Sequence, residues 1–367
     1  MTRSEEIQVK LQRVHGLLEK EKLEGVLLTH RGNFAWITAG GDNHVPSAEE
    51  AGIAAILVTQ KSQYVLTDNI ELPRLEAEEI AGLGFVPKIM DWYAGGLDGV
   101  IAKETAGKRI GTDISREGLA PLKDKVAALR WSLTEGEIER YRNLGRDCAL
   151  AMNDTCRALR PGLAEHEVAG DIGGRLLAMG IEPHVLLIAA DDRIKRFRHP
   201  IPTKNRIDKY CMVVICGERH GLILSMTRLV HFGPVSDDLK KRHRAAAAID
   251  AATIAATKPG KTAGDLFAVI KQAYADNGYP DEWKNHHQGG AMGYIARDWK
   301  AHRADDPTPI VENQCFGWNP SITGTKSEDS VIAFASGPEI LSPIADWPAL
   351  EFETEAGAIS RADILEL

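Results

Sequence analysis

The sequence predicts two domains, an α/β domain followed by an α+β domain. Strand and helix patterns alternate up to residue 132, as they do in α/β proteins. From residue 133 the order becomes helix, helix and strands, and this order then repeats. The repetition predicts a pseudo-symmetric α+β domain in which helices cover one sheet. The length of 367 residues accommodates both domains, at 1–132 and 133–367.

The first domain shows the alternation in five segments. Residues 7–18 place apolar side chains at helical spacing, and the apolar run GVLLT at 25–29 predicts a buried strand. Two apolar runs flank the polar turn QKSQ, which predicts a hairpin over 54–68. A helix is predicted over 72–83 and a short strand over 109–112.

The second domain begins with a long helix. Thr134 is followed three residues later by Glu137, which is a capping-box pattern, and Pro161 ends the helix after Arg160. Further helices are predicted over 164–180, 236–257 and 262–278. Strands are predicted over 183–192, 210–216 and 221–232.

Composition restricts the class of protein. The chain is 44% hydrophobic and 26% charged, which is typical of a soluble globular protein. Its net charge of −8 argues against a nucleic-acid or membrane-surface partner, and no apolar run approaches the roughly 20 residues of a membrane span. The N-terminus lacks the apolar segment of a signal peptide, and five cysteines without a CxxC motif predict reduced thiols. We therefore expect a cytoplasmic protein.

Four stretches carry a family resemblance. RHPIPTKNRIDKYCMVVICGERHGLILSMTRLVHFG, anchored on Gly221, Thr227, Arg228 and Gly233, resembles a core stretch of the creatinase, prolidase and methionine aminopeptidase (M24) family. The later stretches HHQGG, NP and KSED occupy the places of further motifs of that family. The resemblance covers residues 134 to 335. It implies the pita-bread fold for the second domain, a creatinase-type N-terminal domain and a homodimer.

The resemblance also implies a two-cation centre held by two Asp, one His and two Glu. The corresponding positions here are Val214, Ser225, Gly290, Asn319 and Glu328. Hard cations need several anionic oxygens, and transition metals need imidazole or thiolate ligands. We therefore expect no metal and no other cofactor. The pair His286 and His287 does not change this expectation, because adjacent side chains on a strand point to opposite faces.

The resemblance implies catalytic roles for His199, His286 and Glu328. Histidine suits proton transfer because its unperturbed pKa lies near neutrality. His199 is expected to activate water as a general base or to give a proton to the leaving nitrogen. Glu328 is expected to orient water or a cationic substrate group, and the alternative is a surface acid before a strand. Arg297 is expected either to line the pocket or to lie on the surface.

Five further residues are candidates for substrate binding. Arg228 lies in an apolar strand, so it is expected to form either a buried ion pair or a fork for a substrate carboxylate. His287 contacts substrate or only packs. Trp318 and Asn319 replace an acidic element of the family, which fits a neutral amide-like substrate. Lys326 holds an anionic group or is exposed to solvent.

Three functions from different classes are consistent with these residues. The leading hypothesis is a metal-independent, creatinase-like hydrolase of a C–N bond in a small amidine, amide or lactam. The first alternative is a metallopeptidase that resembles Xaa-Pro aminopeptidases or dipeptidases and has a remodelled site. The second alternative is a non-catalytic pita-bread protein that binds peptides.

Overall fold

The computed structural model describes all 367 residues of the protein. Contacts divide the chain into two compact units. The first contains Met1–Glu137 and His220–Leu222, and the second contains Ile138–Arg219 and Ile223–Leu367. The domain boundary expected after residue 132 stays a prediction. None of the helices is both long enough and apolar enough to cross a membrane.

The first unit is an α/β domain built on one six-stranded sheet. Its helices are α1 (Arg3–Glu21), α2 (Arg31–Ile37), α3 (Leu72–Arg74), α4 (Gly96–Thr105) and α5 (Lys123–Arg130). Its strands are β1 (Gly25–His30), β2 (Ala51–Thr59), β3 (Gln63–Thr67), β4 (Val86–Ile89), β5 (Ile110–Thr112) and β6 (Ala120–Pro121). They lie in the order β4-β3-β2-β1-β5-β6. The expected hairpin is present as the antiparallel pair of β2 and β3.

The predicted helix over 72–83 is present only over its first eight residues. Leu72–Arg74 is α-helical, and a single π-helical turn follows over Leu75–Glu79. The amide of Ile80 donates to the carbonyl of Leu75, five residues earlier, which closes the turn. Gly82 and Gly84 follow with φ of 71° and 78°, a left-handed backbone that cannot continue a helix.

The second unit carries the α+β fold. Its helices are α6 (Glu135–Ala158), which starts before the division, α7 (Glu165–Ala178), α8 (Asp192–Arg196), α9 (Asp237–Ala256) and α10 (Ala263–Asp276). Its first strands are β7 (Glu182–Ala190), β8 (Tyr210–Arg219), β9 (Leu222–His231), β10 (Gly289–Met292), β11 (Gln314–Trp318) and β12 (Ser321–Ile322). The others are β13 (Thr325–Lys326), β14 (Asp329–Ala333), β15 (Glu339–Ile340), β16 (Ala349–Thr354), β17 (Gly357–Ala362) and β18 (Leu365–Glu366).

Two four-stranded sheets replace the single sheet that the sequence pattern predicted. Their orders are β18-β9-β8-β7 and β10-β11-β14-β15. Backbone hydrogen bonds link them, because the amide of Ile223 donates to Gly293 and that of Thr227 donates to Glu328 at 3.1 Å. Helices α9 and α10 pack their apolar faces on the second sheet, against Phe316 and Trp318. The line along which the two sheets meet positions the candidate site.

Candidate active site

Two histidines from distant parts of the chain meet in the second unit. His286 follows a 3-10 turn over Glu282–Asn285 and has an extended backbone. His199 lies in the loop between α8 and β8. Their Nε2 atoms are 3.1 Å apart, so the structure brings these two predicted residues together. His286 is buried, whereas His199 is exposed.

Gln288 fixes the backbone that carries His286. Its Nε2 donates to the carbonyls of Trp283, at 3.0 Å, and of His286, while its Oε1 accepts from the hydroxyl of Tyr274 at 2.8 Å. No sequence pattern indicates this role, because a Gln before two glycines is typical of a turn. Gln288 is instead buried and positions the catalytic candidate beside it.

The expectation that His286 and His287 point to opposite faces is wrong. Strand β10 begins only at Gly289, so the alternation of a strand does not apply to the two histidines. Their rings stack with centroids 4.4 Å apart at an interplanar angle of 25°. The ring of His287 also lies 5.8 Å from that of His199. All three imidazoles therefore form one group.

The three imidazoles lie in surroundings that favour their neutral form. Burial, followed by the charge of Lys326, lowers the pKa of His286 to about 2. Burial and the charge of Lys300 lower the pKa of His287 to about 4. Burial and Lys326 also lower the pKa of His199. At neutral pH the rings are therefore uncharged, and each has one nitrogen lone pair that can accept a hydrogen bond.

Glu328 is buried, so the alternative of a surface acid is wrong. The hydroxyl of Thr227 donates to its carboxylate at 2.6 Å, and the ammonium of Lys326 lies 2.6 Å from the same oxygen. Arg297 approaches the other carboxylate oxygen at 3.9 Å. Lys326 is therefore also buried instead of exposed, because it forms an ion pair with Glu328.

The partners of Glu328 decide its charge. Burial alone would raise the pKa of this carboxyl, but the charge of Lys326 and the hydrogen bonds from Lys326 and Thr227 hold it below its usual value. Glu328 is therefore a carboxylate at neutral pH and can accept hydrogen bonds but not donate a proton. The sequence did not predict that Thr227 would be a partner of Glu328. For Arg297 it left open whether the side chain lines the pocket or lies on the surface, and it did not predict that Arg297 would lie near Glu328.

Three of the residues predicted to bind substrate are buried, and two of them have side chains that are engaged elsewhere. Arg228 is buried and forms an ion pair with Asp329 at 3.0 Å. Of the two expectations for this residue, the structure agrees with the buried ion pair. Trp318 is fully buried in the core, where its Nε1 donates to Thr257 at 3.0 Å. Asn319 is buried; its backbone N–H donates to the carbonyl of Gln288, and its side-chain Oδ1 has no hydrogen-bond partner. The substrate-binding roles of these three residues stay predictions.

The residues present do not fit the two-cation centre that the resemblance implies. Val214 packs in an apolar cluster, and the backbone amide of Ser225 is held by Ser330. A Cβ atom at Gly290 would lie 2.0 Å from the carbonyl oxygen of Trp299, so no side chain can extend from this position. The one remaining carboxylate, Glu328, already holds the ammonium of Lys326. A second cation at that carboxylate would be repelled.

The fold and the grouped residues define a member of the pita-bread proteins. The chain matches the model of metallopeptidase family M24 over residues 139–338, more than half of its length, and it belongs to this family. The predicted family and fold are therefore confirmed.

Curated relatives and solved structures carry peptidase names. The chain is 25% identical to an Xaa-Pro dipeptidase of Lactobacillus delbrueckii subsp. lactis, over 59% of this chain and 61% of that protein. It is 22% identical to an Xaa-Pro dipeptidase of Pyrococcus horikoshii, over 91% of this chain and 96% of the relative. The structure of an Xaa-Pro dipeptidase from Bacillus anthracis superposes with a TM-score of 0.77 at 18% identity, covering 98% and 100% of the two chains.

These relatives overturn the leading hypothesis from sequence. A metal-independent, creatinase-like hydrolase of a small amidine, amide or lactam is wrong, because the similar proteins are Xaa-Pro dipeptidases. They agree instead with the first alternative, a peptidase-like enzyme with a remodelled site. The expected homodimer and cytoplasmic location stay predictions.

Proposed function

We propose that the protein is a hydrolase that cleaves the peptide C–N bond of dipeptides, with proline as the preferred second residue. Its membership of family M24 and the names of its relatives support this substrate class. The observation that carries the proposal is the convergence of His199, His286 and Glu328 in one unit, with Lys326 and Arg297 beside them. These groups can move protons, bind an anion and accept hydrogen bonds.

The roles follow from the charge of each group. Glu328 is ionised, so it orients the attacking water or the substrate amine as a hydrogen-bond acceptor. His286 is neutral and is fixed by Gln288, so it accepts or donates a hydrogen bond at the reacting amide. His199 is exposed and meets the substrate first; as the second imidazole it exchanges a proton with the leaving nitrogen.

Arg297 replaces Arg228 as the group that binds the substrate carboxylate. The guanidinium of Arg228 is committed to Asp329 and to the carbonyl of Ser342. Arg297 lies 3.9 Å from Glu328, and its buried Nε has no hydrogen-bond partner. An arginine with a free donor beside the catalytic candidates suits bidentate binding of the C-terminal carboxylate of a dipeptide.

A panel of substrates tests the proposal. Xaa-Pro dipeptides, matched Xaa-Ala dipeptides, a proline amide without a carboxylate, and creatine are incubated with the full-length protein, and product release is followed by chromatography. We expect turnover of Xaa-Pro dipeptides, a weaker rate on Xaa-Ala, and a raised KM for the amide. Failure to cleave any dipeptide, or turnover of creatine alone, would overturn the proposal.

Glu328→Gln is the matched active-site variant. It keeps the size of the side chain but removes its charge, and kcat/KM should fall by about 100-fold or more, the usual scale for loss of a group that handles protons. The control is Glu355→Gln, at an exposed turn between β16 and β17, which should leave kcat/KM unchanged. Equal activity of both variants would remove Glu328 from the proposed mechanism.

A further inference from the structure

The three imidazoles form a compact donor group that the roles above do not fully use. Each of His199, His286 and His287 offers one ring nitrogen, and these three nitrogens lie within 4.8 Å of one another. Two of the rings stack, and the third meets them at its edge. None of the three positions coincides with the five that the family resemblance aligns with cation ligands.

We propose that His199, His286 and His287 bind a single transition-metal cation of the zinc type. The proposal rests on the proposed hydrolase, because it gives the remodelled site of that enzyme a metal in a new place. Imidazole nitrogen suits Zn²⁺ and its neighbours in the first transition row, whereas Mg²⁺ and Ca²⁺ require oxygen ligands. Three protein ligands that leave a fourth position open are typical of catalytic zinc sites.

The distance between the rings of His199 and His286 agrees with one shared ion, and His287 has a ring nitrogen within 4.8 Å of both. With Zn–N bonds of about 2.0–2.1 Å and tetrahedral angles, two ligating nitrogens lie about 3.3–3.4 Å apart. The Nε2 atoms of His199 and His286 are already 3.1 Å apart. A shift of a few tenths of an ångström would therefore suffice for these two rings. The alternative for the same distance is a direct hydrogen bond between two neutral rings, and only an experiment with metal separates the two.

Unsatisfied ring nitrogens give a second reason. The Nδ1 atoms of His286 and His287 are buried and have no hydrogen-bond partner, and His286 is only 9% exposed. A buried polar atom without a partner costs about 1–3 kcal/mol. A cation bound to Nδ1 of His287 would remove that cost for this ring, whereas His286 would bind the ion through Nε2 and its Nδ1 would still need a hydrogen-bond partner.

The charges around the cluster are compensated only in part. Lys326 is paired with Glu328 at 2.6 Å, and Arg198 is paired with Glu282 at 2.9 Å. Lys300 is exposed, so solvent screens it. Arg297 shares the carboxylate of Glu328 with Lys326, so one of these two cations lacks a counter-charge. The remaining positive charge weakens binding of a divalent ion, and the three neutral imidazole ligands have to outweigh it.

Direct metal binding tests the site without using activity. The full-length protein is dialysed against chelator, and Zn²⁺ is titrated calorimetrically, with Co²⁺ as a coloured substitute. We expect one ion per chain and a Co²⁺ spectrum typical of nitrogen ligands in four-fold coordination. His199→Ala and His287→Ala should each weaken binding by more than about 100-fold, beyond the 10–100-fold cost of losing an outer-shell partner. The control is His166→Ala, at an exposed position outside the cluster.

Five outcomes decide between the possibilities. No binding to the unmodified protein would overturn the metal site. Binding that survives both histidine variants would also overturn it, and loss of binding on His184→Ala would place the ion at the separate group of Glu182, His184 and Glu218. Dipeptide turnover by a protein that binds no metal in the titration would overturn the metal site but leave the proposed function. One ion bound at the three histidines, without turnover of any dipeptide, would leave the metal site and overturn the proposed function.

Discussion

Glu328 and Asp329 are neighbours in the chain and both are buried, yet they lie in different surroundings. Glu328 faces the site, where one lysine and one threonine hold it, and a second cation is 3.9 Å away. Asp329 faces the interior, where Arg228 and Arg361 bind it at 3.0 and 2.7 Å and Ser342 donates at 2.5 Å. The carboxylate of Glu328 can still accept a hydrogen bond from a ligand, whereas every lone pair of the Asp329 carboxylate is used by a protein donor.

Strand alternation explains how adjacent carboxylates serve two purposes. Along an extended segment, side chains alternate between two faces. Lys326 and Glu328 share the face towards the histidines, whereas Ser327 and Asp329 share the opposite face. On that second face Ser327 and Arg361 also bind Asp250. Residues 326–329 therefore contribute two side chains to the candidate site and two to the network of buried ion pairs behind it.

We call the face that carries Ser327 and Asp329 the supporting face. The largest loss of stability is expected when an ion pair on this face is broken. Asp329→Asn would leave Arg228 and Arg361 buried with too little negative charge, and breaking a buried pair costs about 3–5 kcal/mol. Urea unfolding followed by tryptophan fluorescence measures the free energy of unfolding. Glu339→Gln, which removes an exposed pair with Arg142, is the control and should cost less than about 1 kcal/mol. Similar midpoints for the two variants would contradict the comparison.

Asp250 should give the supporting face a distinct response to pH. Burial raises the pKa of this carboxyl to about 6 despite the charge of Arg361, so the folded protein binds a proton that the unfolded chain releases near its usual value of about 3.9. The stability from this group is present below about pH 4 and is lost as the pH rises through 6, on the order of 3 kcal/mol in total.

Unfolding at pH 4.5 and pH 7.5 measures this response. The free-energy difference between the unmodified protein and Asp250→Asn should favour the unmodified protein more at the lower pH, because the amide cannot take up the proton. A difference that does not change with pH would show that Asp250 titrates normally in the fold.

Two variants that each remove one hydroxyl group test the same comparison of Glu328 and Asp329, with a smaller expected loss of stability. Thr227→Val and Ser342→Ala each remove one donor to a buried carboxylate, Glu328 and Asp329 respectively. A hydrogen bond to a charged group is worth about 1.5–3 kcal/mol, so both variants should lose about that much stability. Only Thr227→Val should also lower kcat/KM on an Xaa-Pro dipeptide, by about tenfold. Equal loss of activity in both would mean that the two faces are not separate.

The smallest effect on activity is expected at Trp318. Trp318→Phe removes the donor to Thr257 and leaves the aromatic packing on Phe316. Stability should fall by about 1 kcal/mol, and KM should stay within about twofold, because the residue lies in the core. A large rise in KM would return Trp318 to the substrate pocket.

Sequence motifs predicted the fold and the catalytic candidates but not the surroundings of each residue. The order of motifs from His199 to Glu328 predicted the family, and the structure groups these residues as expected. Burial of Lys326 was not predicted, because lysine is exposed by default and only its partner two residues later explains its burial. The opposite orientation assigned to His286 and His287 failed because they precede the strand.

Arg228 shows where sequence reasoning reached its limit. A charged residue in an apolar strand predicted either a partner or a ligand, and only the position of Asp329 distinguishes them. The strand that carries Asp329 is about one hundred residues away in the chain. Pairing over such a separation is set by the arrangement of sheets, which local patterns do not encode.

Gly290 restricts which side chains this position can carry. A histidine introduced there by mutation would have to displace the backbone of Trp299 and Lys300, since even a methyl group overlaps them. A single substitution at Gly290 is therefore not expected to add a metal ligand, and the nearby loop would have to change first. Laboratory selection starting from this chain should accumulate changes around residues 295–301 before any new side chain appears at that glycine.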